Sequence, residues 1–462
     1  MKTIANLRRI KLALAGLVFY DDLLQDEKVN NFCLLLAKLT AERLDGEGIY
    51  KQYRIFYKSL LGLNWWQYLV NLLFKSHNAF AVQAASQGLK GVDSLTKAHV
   101  AADLGIIQDL AEITAGDILA LAGKRFAQEM TEMELEIFRE GLSPENWPLW
   151  PEGSFKQEAP AAVAEAGLRS ATEWLETMRE SYYLRFIAAK CWQDNVSLLA
   201  EYYQSVGFGM FGRYAAFNVR ENGQRLEGIA KNDPIRINNL ICQEREQAIV
   251  LRNTEAFLQG YPANNIILYG NRGTGKSSLV KALLNEYIAQ GLRLVQLQKN
   301  KISLFPGLVA ELAKIPLKFI IFIDDLSFNE EEDDYKTLKS LLEGGVESRP
   351  ANVLIYATSN RKHLVRESFA DRRVDDVHAH DTMEEKLSLA DRFGITVTFL
   401  SPDQETFLRI VEGLAKQNNI TLTKEELRQR ALQWVMMHNG RSGRTARQFV
   451  DYLLAELRLK KQ

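Results

Sequence analysis

One short stretch of the sequence has the residue types that a phosphate-binding loop needs. Residues 270–277, GNRGTGKS, lie between the apolar run NIILY and the helical pattern SSLVKALLNEYIA, and they fit the spacing GxxxxGK[ST]. Glycines let such a loop curl until its backbone amides point at a phosphate, and the following helix N-terminus adds partial positive charge. We expect Lys276 to neutralise the outer phosphates of a nucleotide and Ser277 to bind magnesium, which prefers oxygen ligands. The nucleotide contacts predicted here are Gly270, Asn271, Arg272, Gly273, Thr274, Gly275, Lys276, Ser277 and Ser278.

Two adjacent carboxylates end a second apolar run. The segment KFIIFIDD has the pattern of a buried strand that closes with Asp324 and Asp325. Ligands of open α/β sheets bind at the carboxyl ends of the strands, so we expect this pair beside the phosphate loop. There Asp324 would hold the hydration shell of a magnesium ion, and Asp325 would orient an attacking water. Alone, the acidic pair could be a strand-end cap, but the two motifs together predict binding of ATP with Mg²⁺.

The elements that must position these residues alternate between strands and helices. Five runs have strand character: NIILYG, LRLVQLQ, KFIIFIDD, NVLIYATSN and TVTFLSP. Their continuous apolar character predicts a five-stranded parallel sheet covered by helices. Residues 403–462 have the pattern of a helical bundle. Three- and four-residue apolar spacing at 1–142 and again from about 161 to 204 predicts an all-helical region at 1–215. Prolines cluster at 143–160 and predict a break there.

Composition sets limits on the class of protein. A chain of 462 residues with 47% hydrophobic residues is expected to fold into two or more globular domains. The net charge of −1 gives no overall attraction to nucleic acid or to anionic membranes. Its cysteines, Cys33, Cys191 and Cys242, are far apart in sequence and form no metal-binding or disulfide pattern. Together with the lack of any apolar run long enough to span a membrane, this composition predicts a cytoplasmic protein.

The order of the motifs resembles that of the AAA+ branch of the P-loop ATPases. After the two acidic residues come YATSN at 356–360 and DRFG at 391–394. The resemblance implies that Asn360 senses the γ-phosphate and that Arg392 reaches into the site of a neighbouring subunit, with Arg372 and Arg373 as competitors for that role. It also implies that Arg444 of the C-terminal bundle is a second sensor, with Arg441 and Arg447 as alternatives. Relatives commonly have glutamate where this chain has Asp325, so hydrolysis could be slow.

A narrower resemblance covers residues from about 233 to 450. The strings RNTEAFLQGYPANNIILYGNRGTGKSSLVKALLNEY, FIDDLSF, YATSNRKHL, EEKLSLADRFG and GRSGRTARQF resemble the bacterial ATP-binding family catalogued as domain of unknown function 815. Residues 235–246, IRINNLICQERE, resemble the segment that lines the adenine pocket, which implies apolar contacts from Leu240 and Ile241. Relatives often have glycine at the position of Cys242, so this residue departs from the pattern.

The sequence thus supports one leading hypothesis and two alternatives. The fold class is predicted to be an α/β P-loop NTPase of AAA+ type at 216–402, preceded by the helical region at 1–215 and followed by a helical lid at 403–462. The leading hypothesis is an oligomeric magnesium-dependent ATPase that drives conformational change in itself and in an unknown macromolecular partner. The alternatives are a nucleotide-gated binding module with little turnover and a nucleic-acid loader or remodeller.

Overall fold

The chain divides into two compact units. The computed structural model describes residues 2–130, 143–151, 170–221, 225–326, 338, 342, 350–360, 392–438 and 440–459. One unit is formed by Met1–Glu165 with Leu175–Arg213, and the other by Ala166–Trp174 with Tyr214–Gln462. The predicted domain boundaries at 215/216 and 402/403 and the predicted break at 143–160 stay predictions.

The first unit is built from α-helices. Each of the first seven begins after a Thr, Asp or Asn whose side chain accepts a backbone N–H of the first turn, which satisfies a donor that the helix leaves unpaired. Within the described ranges, no helix is long and apolar enough to cross a bilayer. The helices are α1 (Ile4–Leu14), α2 (Glu27–Leu39), α3 (Gly46–Leu60), α4 (Trp65–Lys75), α5 (Ala79–Gly91), α6 (Ser94–Ala111), α7 (Ala115–Glu129), α8 (Ala171–Ala188) and α9 (Val196–Ser205).

Aromatic side chains form part of the core of this unit. Phe56 lies with its ring centroid 4.6 Å from that of Phe32 and 5.1 Å from that of Trp65. Trp147 and Trp150, from the proline-rich segment, are each only 3% exposed, and Trp150 contacts Phe56 at 5.2 Å. Large aromatic side chains bury much apolar surface and therefore contribute strongly to the stability of a core. The described part of the proline-rich segment, 143–151, is therefore packed into the helical unit.

The second unit contains a seven-stranded sheet in the order β2-β1-β4-β5-β6-β3-β7. Neighbouring strands are parallel except β1 and β2. All five predicted strands are present, but the predicted number of five is wrong. The two additional strands are short and carry polar residues, so neither forms an apolar run in the sequence. The strands are β1 (Ala216–Val219), β2 (Leu226–Gly228), β3 (Ile266–Gly270), β4 (Leu292–Gln296), β5 (Lys318–Ile323), β6 (Val353–Ser359) and β7 (Ile395–Phe399).

Helices pack on this sheet and then form a C-terminal bundle. Helix α11 contacts β3, β4 and β6, and α10 contacts β7. The last three helices enclose their own apolar core, which includes Phe407, Val411 and Phe449. The predicted class, an α/β P-loop domain with a helical C-terminal bundle and a helical N-terminal region, is confirmed. The helices are α10 (Glu244–Leu258), α11 (Lys276–Tyr287), α12 (Phe305–Leu312), α13 (Gln404–Gln417), α14 (Lys424–Met437) and α15 (Gly443–Leu459).

A buried amide on α11 holds the chain segment that leads towards the sheet edge. The side chain of Asn285 is 4% exposed and donates to the carbonyls of Asp233 and Ile235 at 2.8 and 2.7 Å. Its Oδ1 accepts from the backbone N–H of Ala171 and from Asn232, both at 2.7 Å. All four hydrogen-bonding positions of the amide are therefore used. This side chain fixes the segment 232–235 against the helix that follows the glycine-rich loop.

Replacing this amide should destabilise the second unit. Asn285→Ala removes the partner of four groups, three of them backbone groups, and leaving buried polar groups unpaired costs about 1–3 kcal/mol. We expect the free energy of unfolding in urea to fall by about 3 kcal/mol. The matched control is Lys314→Ala, an exposed position whose replacement should change stability by less than about 0.5 kcal/mol. Equal stability of the two variants would contradict this role.

Candidate nucleotide-binding site

The order of the strands brings the predicted site residues to one edge of the sheet. The glycine-rich loop follows β3, Asp324 and Asp325 follow β5, and Asn360 follows β6. Strand β6 lies between β5 and β3, and these three strands are parallel. Their carboxyl ends therefore meet at the same edge, where ligands of open α/β sheets bind.

A cavity of about 460 Å³ opens at this edge. Its volume falls within the usual range of small-molecule sites, about 300–1,000 Å³. Predicted residues that line it come from the loop, the two acidic positions, β6 and the C-terminal bundle. They are Leu240, Ile241, Arg272, Gly273, Thr274, Gly275, Lys276, Ser277, Ser278, Asp324, Asp325, Asn360 and Arg444. Gly270, Asn271 and Arg392 are not among the lining residues.

Lys276 is held by the loop that it belongs to. The side chain of this residue, which is 5% exposed, donates to the carbonyls of Gly270 and Asn271 at 2.7 and 2.8 Å and to Asn360 Oδ1 at 3.0 Å. Burial lowers the pKa of the Lys276 ammonium, while the negative charges of Asp324 and Asp325 act in the opposite direction. Gly270 and Asn271 thus contribute carbonyl oxygens to the lysine rather than a wall to the cavity.

An oxygen pair of the kind that magnesium prefers lies next to the lysine. Ser277 Oγ donates to Asp324 Oδ1 at 2.6 Å, which places a hydroxyl and a carboxylate side by side. Both are hard oxygen ligands, and Mg²⁺ is commonly held by one or two such side chains together with substrate phosphates and waters. In the parts of the chain that the structure covers, no group of three or more His, Cys, Asp or Glu side chains could hold a metal. The donor set therefore fits a magnesium ion that arrives with a nucleotide.

Asp325 has an unusual backbone conformation. Its φ of 54° lies in the left-handed region, which is uncommon for residues other than glycine. Its backbone N–H donates to Thr358 Oγ1 at 2.9 Å, and its carboxylate accepts from Asn360 Nδ2 at 2.6 Å. Backbone strain of this kind occurs at functional sites, where neighbouring contacts hold it in place. Asn360 thus links Lys276 to Asp325 through the two ends of one amide.

The C-terminal bundle closes one side of the cavity. The backbone N–H of Arg444 donates to the carbonyl of Gly273 at 3.2 Å, so helix α15 begins on the glycine-rich loop. Gly273 has a φ of 78°, and a Cβ there would lie 2.9 Å from Ser442 Oγ. Of the three candidate sensor arginines, Arg444 and Arg447 line the cavity, whereas Arg441 is not among its lining residues and donates to Gln404.

The wall formed by Leu240 and Ile241 is joined to the same bundle. Ile241 packs against the core of the bundle and lies so close to Gly413 that a Cβ there would be 2.5 Å from Ile241 Cδ1. Gln417 bridges the two parts as well, since it donates to the carbonyl of Asn238 at 2.6 Å and accepts from Asn239 at 3.2 Å. The apolar wall and the bundle therefore form one connected surface.

The three arginines proposed to act between subunits fall in two groups. Arg392 lies in the turn that leads into β7, and it does not line the cavity of its own chain. Arg372 and Arg373 lie outside the described residues.

Comparison with known proteins places these features in a family. The model of the family described as "Protein of unknown function (DUF815)" matches residues 212–457, which is more than half of the chain. The chain belongs to the DUF815 family. The seven strands, the glycine-rich loop and the acidic strand end all lie within the matched residues, and the predicted resemblance to domain of unknown function 815 is confirmed. No curated protein matches the chain.

Solved structures of Thermotoga maritima RuvB overlap with this DUF815 protein to a limited extent. An alanine-to-serine variant is 14% identical and covers 49% of this chain and 67% of its own, with a TM-score of 0.35. A proline-to-glycine variant is 15% identical and covers 49% of this chain and 68% of its own, with a TM-score of 0.36. The structure titled as the RuvB Holliday junction branch migration motor is 13% identical and covers 48% of this chain and 72% of its own, with a TM-score of 0.30. Overlap at these scores supports no statement about function.

Sequence reasoning missed several side chains that line the cavity of this DUF815 protein. Gln243 lines it and donates to the carbonyl of Thr274 at 2.6 Å. Thr358 lines it too, and the two-residue period of the predicted strand NVLIYATSN puts Thr358 and Asn360 on the same side, which was a usable signal. Ile410 and Leu414 come from the apolar face of α13, and their four-residue spacing predicted a core position rather than a cavity wall.

Cys242 occupies a backbone position that suits glycine. Its φ of 61° lies in the left-handed region, and the side chain is half-buried against the core of the bundle. Burial raises the pKa of the Cys242 thiol, so the thiol is held in its neutral form. This conformation costs a residue with a Cβ roughly 1–2 kcal/mol, and glycine avoids that cost because it has no Cβ.

A pair of variants separates this backbone strain from the loss of the thiol. Cys242→Gly and Cys242→Ala both remove the sulfur, but only glycine relieves the strain. We expect the glycine variant to have a free energy of unfolding about 1 kcal/mol higher than that of the alanine variant, after allowance for the greater freedom of glycine in the unfolded chain. Parallel urea titrations measure the difference. An alanine variant of equal or greater stability would show that the position carries no strain.

Proposed function

We propose that this DUF815 protein hydrolyses ATP in the presence of magnesium and uses the reaction to change its own conformation and that of a macromolecular partner. The observation that carries the proposal is the hydrogen-bonded chain at the sheet edge. Ser277 joins Asp324, and Asn360 joins Lys276 to Asp325. Thr358 joins these two sets through Asp324 and the backbone of Asp325. The lysine that would bind phosphate, the oxygen pair that would hold magnesium and the carboxylate that would orient the attacking water are therefore linked by hydrogen bonds.

Each side chain has a role that its chemistry suits. Lys276 and Arg444 would bind the negative charge of the phosphates, and Ser277 and Asp324 would hold the metal ion. Magnesium, when bound, neutralises charge on the phosphate oxygens. Asp325 would accept a hydrogen bond from the attacking water and take up its proton. Asn360 would contact the γ-phosphate while its amide remains within reach of that carboxylate.

The contact between the loop and the C-terminal bundle supports a conformational output. Because the N–H of Arg444 donates to the carbonyl of Gly273, the bundle begins on the loop that would surround the phosphates. Because Arg444 also lines the cavity, a phosphate bound there would act on the first turn of α15. A ligand that contacts both parts can shift their relative arrangement, provided that it binds one arrangement more tightly.

A second part of the proposal is that the active species is a homo-oligomer. The role assigned to Arg392 by the resemblance requires a neighbouring subunit, and its absence from the cavity lining of its own chain is consistent with action on another chain. A guanidinium group suits the charge that develops on a transferred phosphoryl group, since it is planar and permanently charged.

One observation favours the alternative of a nucleotide-gated switch with little turnover. Asp325 has a shorter side chain than glutamate, and its carboxylate is bonded to Asn360 at 2.6 Å. A carboxylate held in this way must be released, or must share the contact, before it can act on a water. In that case, binding alone would supply the conformational change.

The C-terminal bundle, which was the predicted lid, gives little support to the alternative of a nucleic-acid loader. Arg428 is paired with Glu405 and Glu412, and Arg430 is paired with Glu426 and Glu456. Binding to nucleic acid depends on cations that can neutralise phosphates. Two of the lid arginines are instead engaged with carboxylates of the lid itself, so we do not propose this function.

Two substitutions separate binding from turnover. Lys276→Ala should abolish measurable ATP binding, because it removes the cation of the phosphate loop. Asp325→Asn keeps the shape of the side chain but cannot take a proton, so we expect ATP binding within about twofold of wild type and a loss of turnover of at least about 10²-fold. Phosphate release over many turnovers and titration with a fluorescent ATP analogue measure the two effects. Tight binding by a wild-type protein that never releases phosphate would make the switch the better account.

Mixing two inactive variants tests the oligomer. Arg392→Ala retains its own Asp325, and Asp325→Asn retains its arginine, so a mixed oligomer contains some complete sites if the arginine acts on the neighbouring chain. We expect each variant alone to be inactive and the mixture to recover part of the wild-type activity. Arg245→Ala, an exposed arginine on α10, is the matched control and should remain active. A mixture as inactive as its components would exclude action between chains.

A further inference from the structure

One hydroxyl contacts both acidic positions of the site. Thr358 lies on β6, is 2% exposed, and donates through Oγ1 to Asp324 Oδ1 at 2.5 Å. The same oxygen accepts the backbone N–H of Asp325 at 2.9 Å, and the carbonyl of Thr358 accepts the N–H of Leu326 at 2.7 Å. Three successive residues after β5 are therefore attached to this single threonine.

The direction of these bonds is determined by chemistry. A hydroxyl has one proton and two lone pairs, whereas an ionised carboxylate can only accept and a backbone N–H can only donate. The proton of Thr358 must therefore point at Asp324, and a lone pair must face the N–H of Asp325. Valine has the same shape without either capacity, and serine has both.

Asp325 has a backbone conformation that neighbouring contacts must hold. Its left-handed conformation is uncommon for residues other than glycine, and it needs contacts that hold it in place. The bond from its N–H to Thr358 is one such contact, and the bond from Asn360 to its carboxylate is another. Strand β6 thus supplies Thr358, which orients the backbone of Asp325, and the residue that follows the strand, Asn360, orients its side chain.

The hydroxyl of Thr358 also contacts the carboxylate that would hold the metal ion. Oδ1 of Asp324 receives both the hydroxyl of Ser277 and the hydroxyl of Thr358. A group that hydrogen-bonds to a metal-binding carboxylate fixes its orientation, and losing such a group commonly costs about 10–100-fold in metal affinity or activity. Thr358 makes this contact from a buried position.

We propose that Thr358 is a positioning residue that sets the magnesium requirement of the site and the placement of Asp325. This inference rests on the proposed function, because it assumes that Asp324 serves a magnesium ion that accompanies ATP. Although Thr358 lines the cavity, its hydroxyl is bonded to Asp324 and to the backbone of Asp325. It acts through the two carboxylates, and its hydroxyl, rather than its bulk, is the group that matters.

The test compares Thr358→Val with Thr358→Ser in the full-length protein. The probe is a fluorescent ATP analogue, titrated at a series of Mg²⁺ concentrations and in EDTA, with turnover measured separately. For the valine variant we expect the midpoint for Mg²⁺, that is the Mg²⁺ concentration at which half of the metal-dependent gain in analogue binding is reached, to rise by about 10–100-fold. We also expect a lower kcat and an unchanged affinity for the analogue in EDTA. The serine variant should stay close to wild type in all three quantities.

Thermal unfolding of both variants shows whether the valine variant is folded, and Thr358→Ala is the substitute if it is not. A folded variant without the hydroxyl that has the wild-type midpoint for Mg²⁺ and the wild-type kcat overturns the inference. A midpoint raised equally by serine and valine also overturns it, because the effect would then arise from packing. If the wild type binds Mg²⁺ with the analogue but does not turn over, hydrolysis is refuted while the shift in midpoint still decides the role of Thr358.

Discussion

The site depends on the placement of β6 between β3 and β5. In a parallel sheet, the three carboxyl ends then lie side by side, and the loops that follow them need to extend only a short distance to meet. Lys276, Asp325 and Asn360 come from three separate strand–loop junctions, yet they form a continuous hydrogen-bonded chain. A change in strand order would separate these groups by a strand spacing or more, and no substitution within the loops could restore the contact.

The C-terminal bundle adds the feature that separates a switchable site from a simple phosphate pocket. It reaches the cavity at two places: the first turn of α15 bonds to Gly273, and α13 packs on Ile241. The two contacts lie on the phosphate side and on the apolar side of the same cavity. A nucleotide that filled the cavity would therefore contact the glycine-rich loop and the C-terminal helices at once, which is the physical requirement for coupling occupancy to shape.

The sequence predicted most of the sheet because its central strands are apolar runs bounded by motif residues. It missed β1 and β2, since strands of only four and three residues are too short to show a pattern of their own and are held by pairing with their neighbours. At the site, residues with distinctive chemistry, such as Lys276 and Asp324, could be identified from spacing alone. Gln243 could not, because its importance comes from the backbone carbonyl of Thr274 that it meets in three dimensions. The left-handed backbone of Cys242 and Asp325 is likewise set by tertiary contacts.

The most direct test of the account is a calorimetric titration of the full-length protein with ATP, carried out with Mg²⁺ and again in EDTA. The account predicts saturation at one ATP per chain and a marked loss of affinity when the metal is removed, because Ser277 and Asp324 hold the ion against the phosphates. Absence of binding, or binding of equal strength in EDTA, would contradict the claim that this sheet edge is a site for ATP with magnesium.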